Sequence, residues 1–123
     1  MSCVDLVIEV REVNDIVMME LAGRLSILEQ NLRHLATDLI ESGERQLIIN
    51  LANVSYLDNS GLGQLCWIYT LLQNRGGELA LVKPTPRIQE VLAITKLDTV
   101  FQSFESESEA VRWMEGFRPA ISA

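Results

Sequence analysis

The chain has 123 residues, 48% apolar and 22% charged, a globular composition long enough for one domain with its own core and unlike that of a disordered segment. Seventeen acidic residues against ten basic ones give a net charge of −7, which argues against nucleic-acid binding and against anionic membrane surfaces. Two cysteines, Cys3 and Cys66, are too few for a disulfide framework and read as free thiols of a reducing compartment.

Val4, Leu6, Ile8 and Val10 alternate with mostly polar neighbours, the period of a half-buried strand. Asn14-Asp15 supplies a turn, and "IVMMELAG" (16–23) reads as the returning strand of a hairpin, broken at Gly23. From Ser26 to Gly43 the pattern is helical, with Leu28, Leu32, Leu35 and Leu39 on one face and Gly43 as the C-terminal cap. "QLIIN" (46–50) predicts a buried strand reaching Leu51. A helix over Ser60 to Asn74 follows, stopped by Gly76-Gly77, and "ELALV" (78–82) predicts another buried strand. Pro84 and Pro86 open a helix running to about Leu97, and "TVFQSF" (99–104) predicts a short last strand. Ser106 and Glu109 form a capping-box pair, after which Ala110, Trp113, Met114 and Phe117 keep helical spacing.

Strands separated by helices imply parallel neighbours joined by right-handed crossovers. The expected fold is therefore α/β, a mixed sheet of about five strands, hairpin first and parallel strands after, with about four helices. Residues 1–123 show no repeat and no linker, so one domain is expected. No apolar run approaches the ~18 residues of a membrane span, and Asp5 and Glu9 stand where a signal peptide carries Lys or Arg. A soluble cytoplasmic protein is the expectation.

Most catalytic chemistries lack their residues. One histidine and two separated cysteines cannot assemble a zinc shell, and His34 between Arg33 and Leu35 reads as a solvated helix residue. "GLGQLC" (61–66) opens a helix after a strand but has Cys66 in place of the third glycine of a dinucleotide turn. Glu78 stands at the start of the next strand rather than at its end. No cofactor is expected.

The remaining oddity is "YLDNSGLGQL" (56–65). Asp58, Asn59 and Ser60 all suit a helix cap, so a capping role for Ser60 is redundant. Gly61 and Gly63 are weak helix formers, and their bare backbone permits close approach by another protein or a kinase cleft. On the helix itself Leu62, Leu65, Cys66, Tyr69 and Leu72 share the sheet-facing side. Gln64, Trp67, Ile68 and Leu71 make an unusually apolar outer side, covered either by neighbouring helices or by a partner.

"NVSYLDNSGLGQL" (53–65) resembles the signature of STAS domains of the anti-sigma factor antagonist family, in which an Asp-Ser-Ser-Gly-Leu-Gly turn carries a regulatory phosphoserine. "LAGRL" (21–25) is similar to that family's second strand and exit turn, and residues 80–111 to its closing segment. The resemblance spans almost the whole chain in one register. It implies a non-catalytic switch with the phosphorylatable serine at Ser60. Its partners would be an anti-sigma factor serine kinase, which the unphosphorylated form binds so that a sigma factor is freed, and a serine phosphatase that reverses the mark.

The implied partner surface comprises Asp58, Asn59, Gly61, Leu62, Gly63, Gln64 and Trp67, with Arg24 and Ser26 from the neighbouring loop. Asn59 replaces the family's first serine, and Ser26 a frequent aspartate. A phosphate on Ser60 would take hydrogen bonds from the N–H groups near Leu62 and Gly63. Two other readings use the same residues: a STAS scaffold subunit of a lipid-transport or signalling complex in which Ser60 is only a cap, and a small-ligand or nucleotide sensor. The oligomeric state is not legible.

Overall fold

The structure is a computed structural model that describes residues 6–26 and 31–116. Val4 and Cys3, Leu28 in the expected first helix, and Phe117 at the end of the last one lie outside the described residues. Five strands form one sheet in the order β1-β2-β3-β4-β5, where β1 is Leu6–Val13, β2 Ile16–Leu25, β3 Gln46–Leu57, β4 Glu78–Val82 and β5 Gln102–Phe104. β1 runs antiparallel to β2, and all later neighbours are parallel, as the element order predicted. Asn14 and Asp15 take φ values of 53° and 68°, the left-handed conformation that matches a tight hairpin turn to the twist of its strands.

Four helices cover the sheet: α1 Asn31–Glu41, α2 Asn59–Asn74, α3 Pro86–Ile94 and α4 Glu107–Glu115. Alternation along the strands sorts the two faces. Met19, Leu21, Leu47, Ile49, Leu79 and Leu81 point to the face where α1, α2 and α3 supply Leu32, Ala36, Leu65, Ile68 and Leu92. Ile16, Met18, Ile48, Ala80 and Val82 point the other way, onto Ala110 and Met114 of α4.

Several boundaries differ from the sequence expectation. Gly23 does not end β2. The strand continues to Leu25, and Gly23 at φ 115° sits beside register shifts against β3, so the glycine makes a bulge. β3 runs on past Leu51 to Leu57, because the extended end of β2 offers it a partner as far as Leu25–Leu57. Ser26 is a buried bend outside α1. α3 stops at Ile94, and Leu97 belongs to a separate 3-10 turn after left-handed Lys96. Gly43 does cap α1, at φ 118°, its N–H donating to the Ile40 carbonyl at 3.1 Å.

α4 is held to the sheet by a polar cluster. Glu107 Oε2 accepts from buried Asn50 Nδ2 at 2.8 Å, and Arg11 Nη2 donates to both Glu107 oxygens at 2.9 and 3.0 Å. Burial alone would raise the Glu107 carboxyl. The Asn50 and Arg11 hydrogen bonds, with the charges of Arg11 and Lys83, outweigh it and hold the group below its usual range. A depressed carboxylate stabilises the fold above its unfolded value near 4.5, and that contribution is lost as pH falls through the lower folded value. Urea melts of wild type should therefore lose stability below about pH 4.5. Glu107→Gln should be less stable at pH 7 and show a flatter acid limb.

Candidate functional site

The β3–α2 junction is built by Asp58. Its extended backbone precedes α2, and Oδ1 accepts from the Gly61 N–H at 2.9 Å while its carbonyl accepts from the Leu62 N–H at 2.9 Å. Asp58 is thus the cap, leaving Asn59 and Ser60 as the first two helical residues, whose amides have no partner within the helix ladder. Those two, rather than the amides near Leu62 and Gly63, are the donors open to an anion at this end. Ser60 is half-buried, and no hydrogen bond among the described residues uses its hydroxyl.

The turn is braced against the end of β2. The Asp58 N–H donates to the Leu25 carbonyl at 3.4 Å, and Gln64 Nε2 donates to the Ser26 carbonyl at 3.1 Å. A Cβ on Gly61 would lie 2.2 Å from the Leu25 oxygen and 2.9 Å from Leu57 Cδ1, so that glycine is required by the packing of α2 on β2. The two glycines therefore differ. Gly61 is buried and its bare backbone serves an internal contact, while Gly63 is exposed and a methyl group there would meet nothing within 4 Å.

The structure brings Arg24, Ser26, Asp58, Asn59, Ser60, Gly61, Leu62, Gly63 and Gln64 together at the ends of β2 and β3. Their accessibility divides them. Ser26, Gly61 and Leu62 are buried and shape the turn; Asp58 and Gln64 are half-buried; Arg24, Asn59 and Gly63 are exposed. The Arg24 guanidinium stacks over Tyr56 at 4.1 Å from the ring centroid, so the flank of the site carries a cation on an aromatic face. Tyr56 and the Leu25 carbonyl are participants that sequence reasoning missed.

Trp67 stands two turns along α2. It is 41% exposed, with Arg33 of α1 over its ring at 4.0 Å and Nε1 donating to Thr37 Oγ1 at 3.4 Å. Ile68, expected beside it on the outer side, is instead wholly buried in the core that α1 shares, while Cys66 and Tyr69 are only partly buried at its margin. Burial pushes the free Cys66 thiol up. Truncation should distinguish the neighbours: Ile68→Ala is expected to cost about 3 kcal/mol and Trp67→Ala about 1 kcal/mol, read from denaturation midpoints.

Metal chemistry finds no cluster of three His, Cys, Asp or Glu side chains among the described residues, and His34 is exposed. No described helix is long and apolar enough to cross a membrane. A groove of about 880 Å³ lies between α3 and β5, lined by Lys83, Thr85, Gln89, Phe101 and Phe104, away from the α2 start. It is a surface depression whose titratable lining residues are Lys83, Asp98 and Glu105, with no His or Cys among them, and the α2 start remains the better-defined site.

A mixed five-stranded sheet with three helices on one face, one on the other, and a serine at the start of the helix after β3 defines a STAS-type domain. The chain belongs to the STAS domain family, whose profile matches residues 7–110, and its relatives are anti-sigma factor antagonists. It is 30% identical over 79 residues to the TM1081 homolog of Thermotoga neapolitana, named as a candidate anti-sigma factor antagonist, covering 64% of this chain and 70% of that one. It is 24% identical over 115 residues to the anti-sigma F factor antagonist of Paenibacillus polymyxa, covering 90% and 97%. Its fold matches the Bacillus cell fate determinant SpoIIAA in the phosphorylated form, with a TM-score of 0.72, 23% identity, and coverage of 87% and 98%.

Proposed function

We propose that this chain is a phosphorylation-switched anti-sigma factor antagonist. Its unphosphorylated form binds an anti-sigma factor that is a serine kinase, which releases a sigma factor. Phosphorylation of Ser60 by that kinase ends the interaction, and a serine phosphatase restores it. The chain acts in this scheme by binding rather than by catalysis, in the compartment where transcription occurs.

The observation that carries the reading is the placement of Ser60. Asp58 does the capping, so the Ser60 hydroxyl is spared for another use, at a helix start whose amides tolerate an anion. The phosphorylated form of SpoIIAA among the structural neighbours is consistent with it. The contact surface reduces to side chains that a partner can reach: Arg24, Asn59, Ser60 and the open backbone at Gly63, with Trp67 at its far end. Asp58, Gly61, Leu62 and Ser26 hold that surface in shape from beneath.

Incubation with a cognate anti-sigma kinase and ATP, followed by intact-mass measurement, tests the scheme. One phosphate on wild type and none on Ser60→Ala is the expected outcome. A Ser60→Ala variant that is modified to the same extent, or a wild type that never is, refutes it.

A further inference from the structure

The sheet has two edges of different character. β5 is three residues long, whereas β1 is eight residues long and paired only with β2 among the described strands. A long unpaired edge presents a row of free backbone donors and acceptors. The tight turn makes Val13 and Ile16 the first hydrogen-bonded pair of the hairpin, so Val13, Arg11, Glu9 and Val7 direct their N–H and C=O groups toward β2. Leu6, Ile8, Val10 and Glu12 direct theirs outward. Val7 and Val10, at 50% and 45% exposure, are large apolar side chains left open on this same strand.

We propose that the protein self-associates through β1, two copies joining their sheets edge to edge about a two-fold axis through Val10. In that antiparallel register Val10 pairs with Val10 of the second copy and Ile8 with Glu12, every pair drawn from the outward-directed set. Between them Glu9 falls opposite Arg11, twice by symmetry, and Val7 falls opposite Val13. The neighbouring registers are excluded by charge. An axis through Glu9 sets Glu9 against Glu9, and an axis through Arg11 sets Arg11 against Arg11.

Charges on an edge strand ordinarily discourage pairing, but here they become complementary in one alignment. Within a protomer Glu9 lies directly across from Glu20, whose carboxylate has the protomer's own Arg11 at 3.5 Å, whereas Glu9 gains its cation from Arg11 of the second copy. Arg11 is 44% exposed on its side chain, and although its Nη2 donates to Glu107 and to Glu20, the guanidinium has further N–H donors on Nη1 and Nε. The contact uses no residue of α2 and stands independently of the role of Ser60.

A seam this short belongs to small, weak interfaces, so sedimentation equilibrium should be followed from about 1 to 300 μM. The mass should move from the 13.8 kDa of one chain toward twice that value. Val10→Pro removes an outward N–H only, which an edge strand tolerates, and should weaken the dimer by about tenfold or more. Glu9→Arg faces Arg11 across the seam but Glu20 within the protomer. It should weaken the dimer by a similar factor while leaving the denaturation midpoint unchanged or raised, which separates loss of the seam from a folding defect. A single 13.8 kDa species throughout overturns the proposal, as does a dimer that either variant leaves unmoved.

Discussion

Gly61→Ala should destabilise the protein by about 3 kcal/mol, while Gly63→Ala, two residues further along the same helix, should leave it unchanged or stabilise it by up to about 1 kcal/mol. The substitutions are chemically identical, so space decides between them. At Gly61 the new methyl would sit 2.2 Å from the Leu25 carbonyl oxygen and 2.8 Å from its carbon, and a backbone group at the end of a paired strand cannot turn aside as a flexible side chain would. Either α2 moves off the sheet or β2 lets go of β3 at Leu25–Leu57. Both outcomes also move Ser60, so on the proposed scheme Gly61→Ala should be a poorer kinase substrate as well as a less stable protein. At Gly63 nothing lies within 4 Å and only the helix preference of alanine remains. Urea denaturation of both variants checks the pair; equal midpoints would mean that the β2–α2 contact is not tight in solution.

The same contact marks where the sequence stops being readable. The hairpin was legible because Asn14-Asp15 is one of the few pairs that readily adopt positive φ, and "ELALV" because β4 is buried along nearly its whole length. Ser60 was legible as a surplus polar residue at a helix start. The far half of β3 was not: Ala52, Asn53, Ser55 and Tyr56 are exposed, and their strand conformation depends on the end of β2, distant in sequence. A bulge and a break look alike locally, which is why Gly23 read as a stop. Ile68 read as outward because helical spacing says nothing of where α1 lies. The Leu25 carbonyl, the group that dictates Gly61, has no side-chain signature at all.

On the proposed scheme, phosphorylation of Ser60 should reduce affinity for the proposed kinase partner roughly a thousandfold while changing the stability of the free protein by about 1 kcal/mol or less. In the free protein the added charge of about −1.5 to −2 meets the open amides of Asn59 and Ser60 at the positive end of α2, a favourable term. Asp58 opposes it, since its carboxylate is fixed nearby by the Gly61 N–H at 2.9 Å and cannot swing away without uncapping the helix. The two terms are similar in size and of opposite sign. Under a docked partner the balance changes, because solvent no longer screens the phosphate. Burying such a charge without a matching cation costs about 4 kcal/mol, and 1.4 kcal/mol is about tenfold in affinity. Ser60→Asp should reproduce part of that loss, and Ser60→Ala, which adds no charge, should bind about as wild type does. Amide NMR shifts on phosphorylation should stay near residues 58–65. Shifts spread through β1 to β5 would point to a rearranged fold instead, and a Ser60→Asp variant that binds as tightly as Ser60→Ala would remove charge as the cause.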